Sequence, residues 1–251
     1  MVKTFSSLRG AILSVAMLLI CAASLPAATP APSIRQKAIR FFDQKEWASA
    51  SAMYGLLISE SPSDADAYAH AIVAAGMLDD PTGQLDLTTR ALNAALPLDS
   101  LFSRVERLSL SLAQTSLYRD FLLRVRRAHP WMARNIDSQL LRYYTFRRNP
   151  YGMIACSRQM LAGMPDHPDF LYPLAQGLLL DGRPDEAMKV YLKILAINPQ
   201  SLEALLYLGN YHADRARTSE TDRQAAIDYL SRAAVLRSTP YISRRLAALR
   251  Q

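Results

Sequence analysis

The chain has 251 residues, half of them hydrophobic, with nine glycines and 8% aromatics, a balance that suits a mostly helical protein large enough to bury a substantial core. Its formal net charge of +7 is carried mainly by arginine and favours anionic partners: acidic proteins, lipid head groups or polyanionic polymers. Two cysteines are too few for a disulfide framework, and the absence of a nucleophile motif, a glycine-rich phosphate loop or a paired-carboxylate signature leaves catalysis without support.

At the N-terminus Lys3 and Arg9 precede an apolar run from Ala11 to Ala23, with small residues continuing to Ala28. This is the layout of a secretory signal peptide, too short to span a bilayer comfortably, with cleavage expected between residues 23 and 28. Ile20 is too bulky for the position before a lipidated cysteine, so Cys21 is not expected to carry a lipid. Cleavage removes Lys3, Arg9 and Cys21 with no acidic residue, so the charge falls from +7 to +5 and Cys156 is left alone. The implied location is the bacterial periplasm or cell envelope. Export also argues against nucleic acid as a partner.

From residue 29 onward prolines mark a period. Pro62, Pro97, Pro130, Pro165, Pro199 and Pro240 lie 35, 33, 35, 34 and 41 residues apart, each after an apolar helical stretch and before a polar or small-residue helix start. Fixed spacing of this size predicts stacked helix pairs. The units are 33–62, 63–97, 98–130, 131–165, 166–199 and 200–240, with a capping helix over 241–251. Ser33 with Gln36 reads as a capping box opening the first helix, and Thr221 with Gln224 as another in the sixth unit. Asn149-Pro150 is a cap and first helical position for the second helix of unit four.

The clearest unit is His167 to Pro199. Leu171, Leu174, Leu178 and Leu179 make one apolar stripe, Asp181-Gly182 ends the helix, Pro184 restarts the chain with Asp185 and Glu186 at the positive end of the dipole, and Ala187, Tyr191, Ile194 and Leu195 line the second helix. With Leu174-Ala175, Gly182, Ala187, Tyr191 and Pro199, this segment resembles the tetratricopeptide repeat, and Leu205, Leu208-Gly209, Ala226, Tyr229 and Ala233 resemble it again in unit six. Trp47 and Ala50 match in unit one, where Lys45 replaces the turn glycine. Units two to four keep the period and lose the signature; Tyr118 falls near a position where the family has alanine. Bulky residues at close helix crossings should make those pairs splay or shift. The resemblance implies an all-α, right-handed α-solenoid of about six helix pairs, non-catalytic and specialised for protein–protein interaction.

Carrying the family's groove positions over implies a partner-binding face of Arg35, Phe42, Arg142, Phe146, Tyr172, Gln176 and Asn210, suited to an extended or helical peptide. Asn210 stands alone, and Asp169 and Glu203 occupy groove positions, so the subclass that clamps acidic chaperone tails is not implied. Between residues 101 and 158 eleven arginines face three acidic residues. Arg119, Arg126, Arg127, Arg147 and Arg148 form the candidate anionic patch, a route by which the protein could act as an adaptor on anionic lipid or polymer. Met153, Cys156, Met160 and Met164 share a helical stripe that soft-metal chemistry could use, but methionine at that spacing fills cores, so no metal or cofactor is expected. His212-x-Asp214 is a weak pair, and His167 is expected to help cap a helix. Nothing in the pattern specifies an oligomeric state.

Overall fold

The computed structural model describes residues 33–251, which form thirteen α-helices and no strand. The signal-peptide reading falls on residues 1–28, outside the described residues. Six antiparallel pairs follow one another: α1 (Ile34–Asp43) with α2 (Trp47–Glu60), α3 (Ala65–Met77) with α4 (Pro81–Asn93), α5 (Leu98–Ser111) with α6 (Thr115–Ala128), α7 (Ala133–Phe146) with α8 (Pro150–Gly163), α9 (Pro168–Leu180) with α10 (Pro184–Ile197), and α11 (Leu202–Ala213) with α12 (Glu220–Leu236). A single helix, α13 (Pro240–Leu249), closes the stack, and one 3-10 turn (Pro130–Met132) leads into α7. The protein is an all-α solenoid. Each hairpin leaves an apolar side uncovered, and its neighbours cover it.

Helix starts are written in short polar residues. Ser33 and Gln36 make the reciprocal capping box, Ser33 accepting from the Gln36 amide at 3.2 Å and donating its own amide to Gln36 Oε1 at 2.8 Å. Asp64, Asp80, Asn149, Ser201 and Thr239 each cap a helix by accepting a bond from a first-turn amide, without the reciprocal half of the box. Two expectations are corrected. The sixth unit's second helix is capped by Ser219, which accepts from Asp222 N at 3.1 Å, because the helix begins at Glu220 and already contains Thr221. His167 sits at the N-cap of α9 without a side-chain bond there, and its ring stacks on Phe170 at 4.7 Å.

The turn inside each of the first five hairpins has one geometry. Lys45, Asp79, Ala113, Arg148 and Gly182 all take positive φ, between 50° and 72°, and each lies two residues past the end of the first helix. In each, the next amide bonds back to the helix: Glu46 N to Phe41 O, Asp80 N to Ala75 O, Gln114 N to Ser109 O, Asn149 N to Tyr144 O and Arg183 N to Leu178 O, all at 2.9 Å. These are Schellman closures, and only one of the five uses the glycine that the left-handed conformation favours.

A common turn puts the fourth residue of each second helix against the first helix. Those residues are Ala50, Gln84, Tyr118, Met153 and Ala187, and all are buried. Alanine fits directly. Gln84 fits because Gly76 leaves room: a Cβ on Gly76 would lie 2.5 Å from Gln84 Nε2. The Gln84 amide then donates to Ile72 O at 3.0 Å and accepts from Arg124 Nη1 at 2.7 Å, tying α3, α4 and α6 together. Met153 packs against Gly177 of α9, where an added Cβ would come within 3.0 Å of Met153 Cβ. Tyr118 has no such glycine; its ring meets Tyr143 of the next unit at 6.2 Å, and α5 and α6 are the most loosely joined of the six pairs. Between units two and three α3 packs directly on α5 and α4 on α6, while elsewhere the second helix of one unit packs on the first helix of the next. Unit two is better packed than its missing signature implied, since α3 buries Ala67, Ala69, Ala71, Ala74 and Ala75.

Left-handed backbone costs an L-residue about 1–2 kcal/mol, so Ala113→Gly should stabilise the fold by about 1 kcal/mol and Gly182→Ala should cost about as much. Denaturant midpoints of the two variants, moving in opposite directions from the parent, are the check.

Candidate functional site

The first helices of successive units lie side by side and form one face. Polar rungs hold these helices side to side. Arg35 of α1 bonds Asp64 at the start of α3, and Arg104 of α5 pairs with Asp66 of α3 at 3.2 Å. Asp99 of α5 accepts from Asn135 (3.1 Å) and Gln139 (3.2 Å) of α7, and Arg142 of α7 donates to Glu106 of α5 at 2.7 Å. Farther along, Tyr172 shares a 2.7 Å bond with Ser201, Gln176 donates to Glu203 at 3.4 Å, and Asn210 accepts from Tyr241 (2.7 Å) and Arg245 (3.2 Å) of α13. Exposed pairs of this kind contribute at most about 1 kcal/mol each. Their consequence here is positional, since they fix the spacing of the face.

One step of this ladder is missing. Among the described residues no side-chain hydrogen bond or ion pair joins α7 to α9. An apolar hollow of about 490 Å³ opens there, lined by Leu141, Phe146, Phe170 and Pro173, with Ser138, Arg142, Thr145 and Asp169 on its rim. The buried core changes hands at the same place: one contiguous cluster runs from Ala38 to Phe170, and another from Leu171 to Leu246. On the opposite side α8 and α9 remain closely packed, and Ile154, Leu174, Leu178 and Ala187 join α8, α9 and α10.

The seven candidate groove residues therefore divide. Phe42 is 6% exposed, packed edge-on against Trp47, Tyr54 and His70, so it belongs to the core and offers nothing to a partner. Arg35, Arg142, Tyr172, Gln176 and Asn210 are rungs, and Asn210 is further covered by α13. Phe146 alone is uncommitted, with 75% of its surface exposed at the hollow's end.

The arginine patch also divides. Arg126 grips the buried carboxylate of Asp137 with Nε at 2.6 Å and Nη2 at 3.2 Å, so it is a structural tie between α6 and α7. Arg119 is paired with Asp120 at 2.7 Å, and Arg147 donates to Thr115 Oγ1 at 3.3 Å, both at the start of α6. Arg127 lies at the other end of that helix, about 18 Å from Thr115 at 1.5 Å per residue. The five do not make one surface. Arg127, Arg147 and Arg148 are exposed and, among the described residues, meet no carboxylate.

Other sequence pairings resolve differently from expectation. His212 pairs with Asp222 (Nδ1 to Oδ1, 2.6 Å) rather than Asp214, which accepts from Arg245 at 2.8 Å. Met153, Cys156 and Met160 are buried, burial pushes the Cys156 thiol up to about 11, and no group of three His, Cys, Asp or Glu side chains is placed to hold a metal among the described residues. One constellation has no counterpart in the sequence reading: Tyr191 stacks on Tyr207 (4.3 Å), Tyr207 leans on Tyr211 (6.1 Å), and Arg215 lies 3.7 Å over the Tyr211 ring, with Tyr211 and Arg215 both bonded to Asp185. The i, i+4 spacing of Tyr207, Tyr211 and Arg215 was its only signal. This stack secures the lengthened turn of unit six.

The arrangement defines a class of protein, a stack of helical hairpins that presents side chains along one face. Residues 168–211, covering α9, α10 and most of α11, match the tetratricopeptide repeat family model, which supports that family. Comparison with curated proteins gives no match. Among solved structures, the C-terminal part of a TPR repeat-containing protein from Cytophaga hutchinsonii is similar at 14% identity and a TM-score of 0.46, over 81% of this chain and 79% of that one. PilF from Pseudomonas aeruginosa is similar at 15% identity and a TM-score of 0.43, over 86% and 95%. The TPR2AB domain of yeast Sti1, solved in complex with an HSP90 peptide, is similar at 10% identity and a TM-score of 0.39, over 87% and 97%.

Removing one partner of a buried ion pair leaves an uncompensated charge, so Arg126→Ala should cost about 3 kcal/mol in denaturation, against less than about 0.5 kcal/mol for Arg127→Ala. A second outcome concerns acid. Burial alone would raise the Asp64 carboxyl, but the bond and charge of Arg35 and the amides of Ala67 and Asp66 hold it below its ordinary 3.8; His212 and Ser219 hold Asp222 below the same value. Carboxyls depressed by folding stabilise the protein above their unfolded pKa, and that stabilisation is lost as pH falls through the folded values. Melting temperature should drop as pH falls below about 4, and less steeply in Arg35→Ala.

Proposed function

We propose that the protein is a non-catalytic protein–protein interaction scaffold or assembly factor of the bacterial periplasm or cell envelope, engaging its partner through the concave face. The observation that carries this reading is the interrupted ladder. Every other step between neighbouring first helices spends its side chains on internal rungs, whereas the α7–α9 step leaves an apolar hollow with an exposed phenylalanine at its end. A hollow of this size accepts one large apolar side chain of a partner, with Asp169 on the rim to orient a flanking charge. The export part of the proposal rests on the pattern of residues 1–28.

A photo-crosslinking amino acid at Ser138, on the hollow's rim, should capture a discrete partner in intact cells, whereas the same group at the exposed Gln159 of α8 should not. Phe146→Ser should reduce that capture at least tenfold if the ring is an anchor of the usual strength. Equal capture at both positions, or capture indifferent to Phe146, would remove the groove reading. Mass analysis of the purified protein should find the mature N-terminus between residues 24 and 29, and an intact Met1 would remove the export reading.

A further inference from the structure

The turn of the fourth hairpin differs from its four counterparts in what it shows to solvent. Aligned on the left-handed residue, the third position after it holds Ala48, Thr82, Ser116, Tyr151 and Asp185 in the five units. Two positions before it stand Asp43, Met77, Ser111, Phe146 and Leu180. Only the fourth turn has an aromatic ring at both places, and Phe146 and Tyr151 are each 75% exposed. Arg147 and Arg148 stand between them, both exposed and, among the described residues, without a carboxylate partner. The nearby Asp120 is already held by Arg119.

Rings exposed on a hairpin end, with unneutralised guanidinium groups between them, have the chemistry of a lipid-interface contact. Aromatic side chains settle at the headgroup level of a bilayer, and arginines gain from the anionic phosphates beside them. A soluble polyanion would satisfy the arginines and leave the rings in water. A peptide seated in the hollow beside Phe146 would leave Tyr151, which does not line it, in water.

We propose that the tip Phe146–Tyr151 docks the protein peripherally on a bilayer containing anionic phospholipid, with Arg147 and Arg148 on the phosphates and Tyr151 and Phe146 at the headgroup level. No helix among the described residues is long and apolar enough to cross a membrane, so the contact lies on the surface. This goes beyond the groove reading and does not depend on it. Phe146 is the one shared residue and is left unchanged in the test.

The test is sedimentation of the full chain with vesicles of phosphatidylcholine alone and of phosphatidylcholine with one-third phosphatidylglycerol. All proteins compared share the same N-terminus, so any contribution of its apolar run is common to them. Binding should favour the anionic vesicles, and Arg147→Ser combined with Arg148→Gly, which suits the left-handed backbone there, should weaken it roughly thirtyfold, about fivefold per arginine. Tyr151→Ser should weaken the binding that survives at about 1 M salt, where charge is screened within 3 Å. In Tyr151→Trp, bromine-bearing lipid should quench emission beyond the background of Trp47 and Trp131. Equal binding to both vesicle types, binding unchanged in the arginine double variant, or no added quenching would each overturn the proposal. Displacement by polyphosphate that is equally effective with and without Tyr151 would overturn it in favour of a soluble polyanion site.

Discussion

Everything in this solenoid is referred to a turn that carries one left-handed residue two positions beyond the first helix. The closing hydrogen bond from the following amide sets where the second helix begins, and so which of its residues faces back. That residue is the fourth one, and the frame must find room for it in each of the first five units. Where it is alanine, the two helices simply approach. Where it is Gln84 or Met153, a glycine elsewhere gives way, at Gly76 within the same pair and at Gly177 in the next. Where it is Tyr118, nothing gives way, and the pair loosens while its ring reaches the following unit. Irregularity along the stack is thus the local cost of one oversized side chain, and the regular turn keeps it from propagating.

The two sides of the stack divide the work of cohesion. At most junctions the second helix of one unit buries apolar surface against the first helix of the next, and between units two and three α3 and α4 pack on α5 and α6. The first helices are spaced by polar rungs, each weak, that consume the side chains a partner would otherwise meet. Where those rungs stop, between α7 and α9, the apolar contact behind them continues through α8. The protein can therefore open a hollow on one face without parting the stack. Rigidity and an accessible surface are compatible because different helices provide them.

Much of the frame was legible because it depends on residues with few conformational choices. Prolines cannot continue a helix, and all six periodic prolines fall at connections between units or at their edges. Gly182, Asn149 and Ser33 announced a stop, a cap and a start. The turn at Asp79-Asp80-Pro81 was legible as a turn, but the left-handed residues Lys45, Ala113 and Arg148 were not, because they have no preference that singles them out; the closing hydrogen bond imposes the conformation. The candidate groove was legible only as a set of positions. Which side chain faces along the first helices follows from spacing, but whether it is free depends on a partner about 30 residues away in sequence, as for Tyr172 with Ser201 or Arg142 with Glu106, and one sequence does not show such pairs. Phe42 was misplaced for a related reason: Trp47, Tyr54 and His70 close over it from three directions.

The arginine-rich middle follows from the same accounting. Units two to four are where the small crossing residues are lost, and they are also where arginines reach from one unit to another: Arg104 to Asp66, Arg124 to Gln84, Arg126 to Asp137, Arg142 to Glu106, Arg147 to Thr115 and Arg158 to Glu186. A long side chain with five donors can span a gap that close packing would otherwise fill, so arginine suits junctions where the helices stand apart. Three of those six partners are carboxylates already shared with no other arginine, one is a carboxylate shared with Arg183, and two are neutral. The ties therefore use most of the arginines and nearly all of the local acid. Arg107, Arg127, Arg134 and Arg148 make no such tie among the described residues, and at the fourth turn Arg148, with Arg147 bonded only to a neutral hydroxyl, stands between two exposed rings.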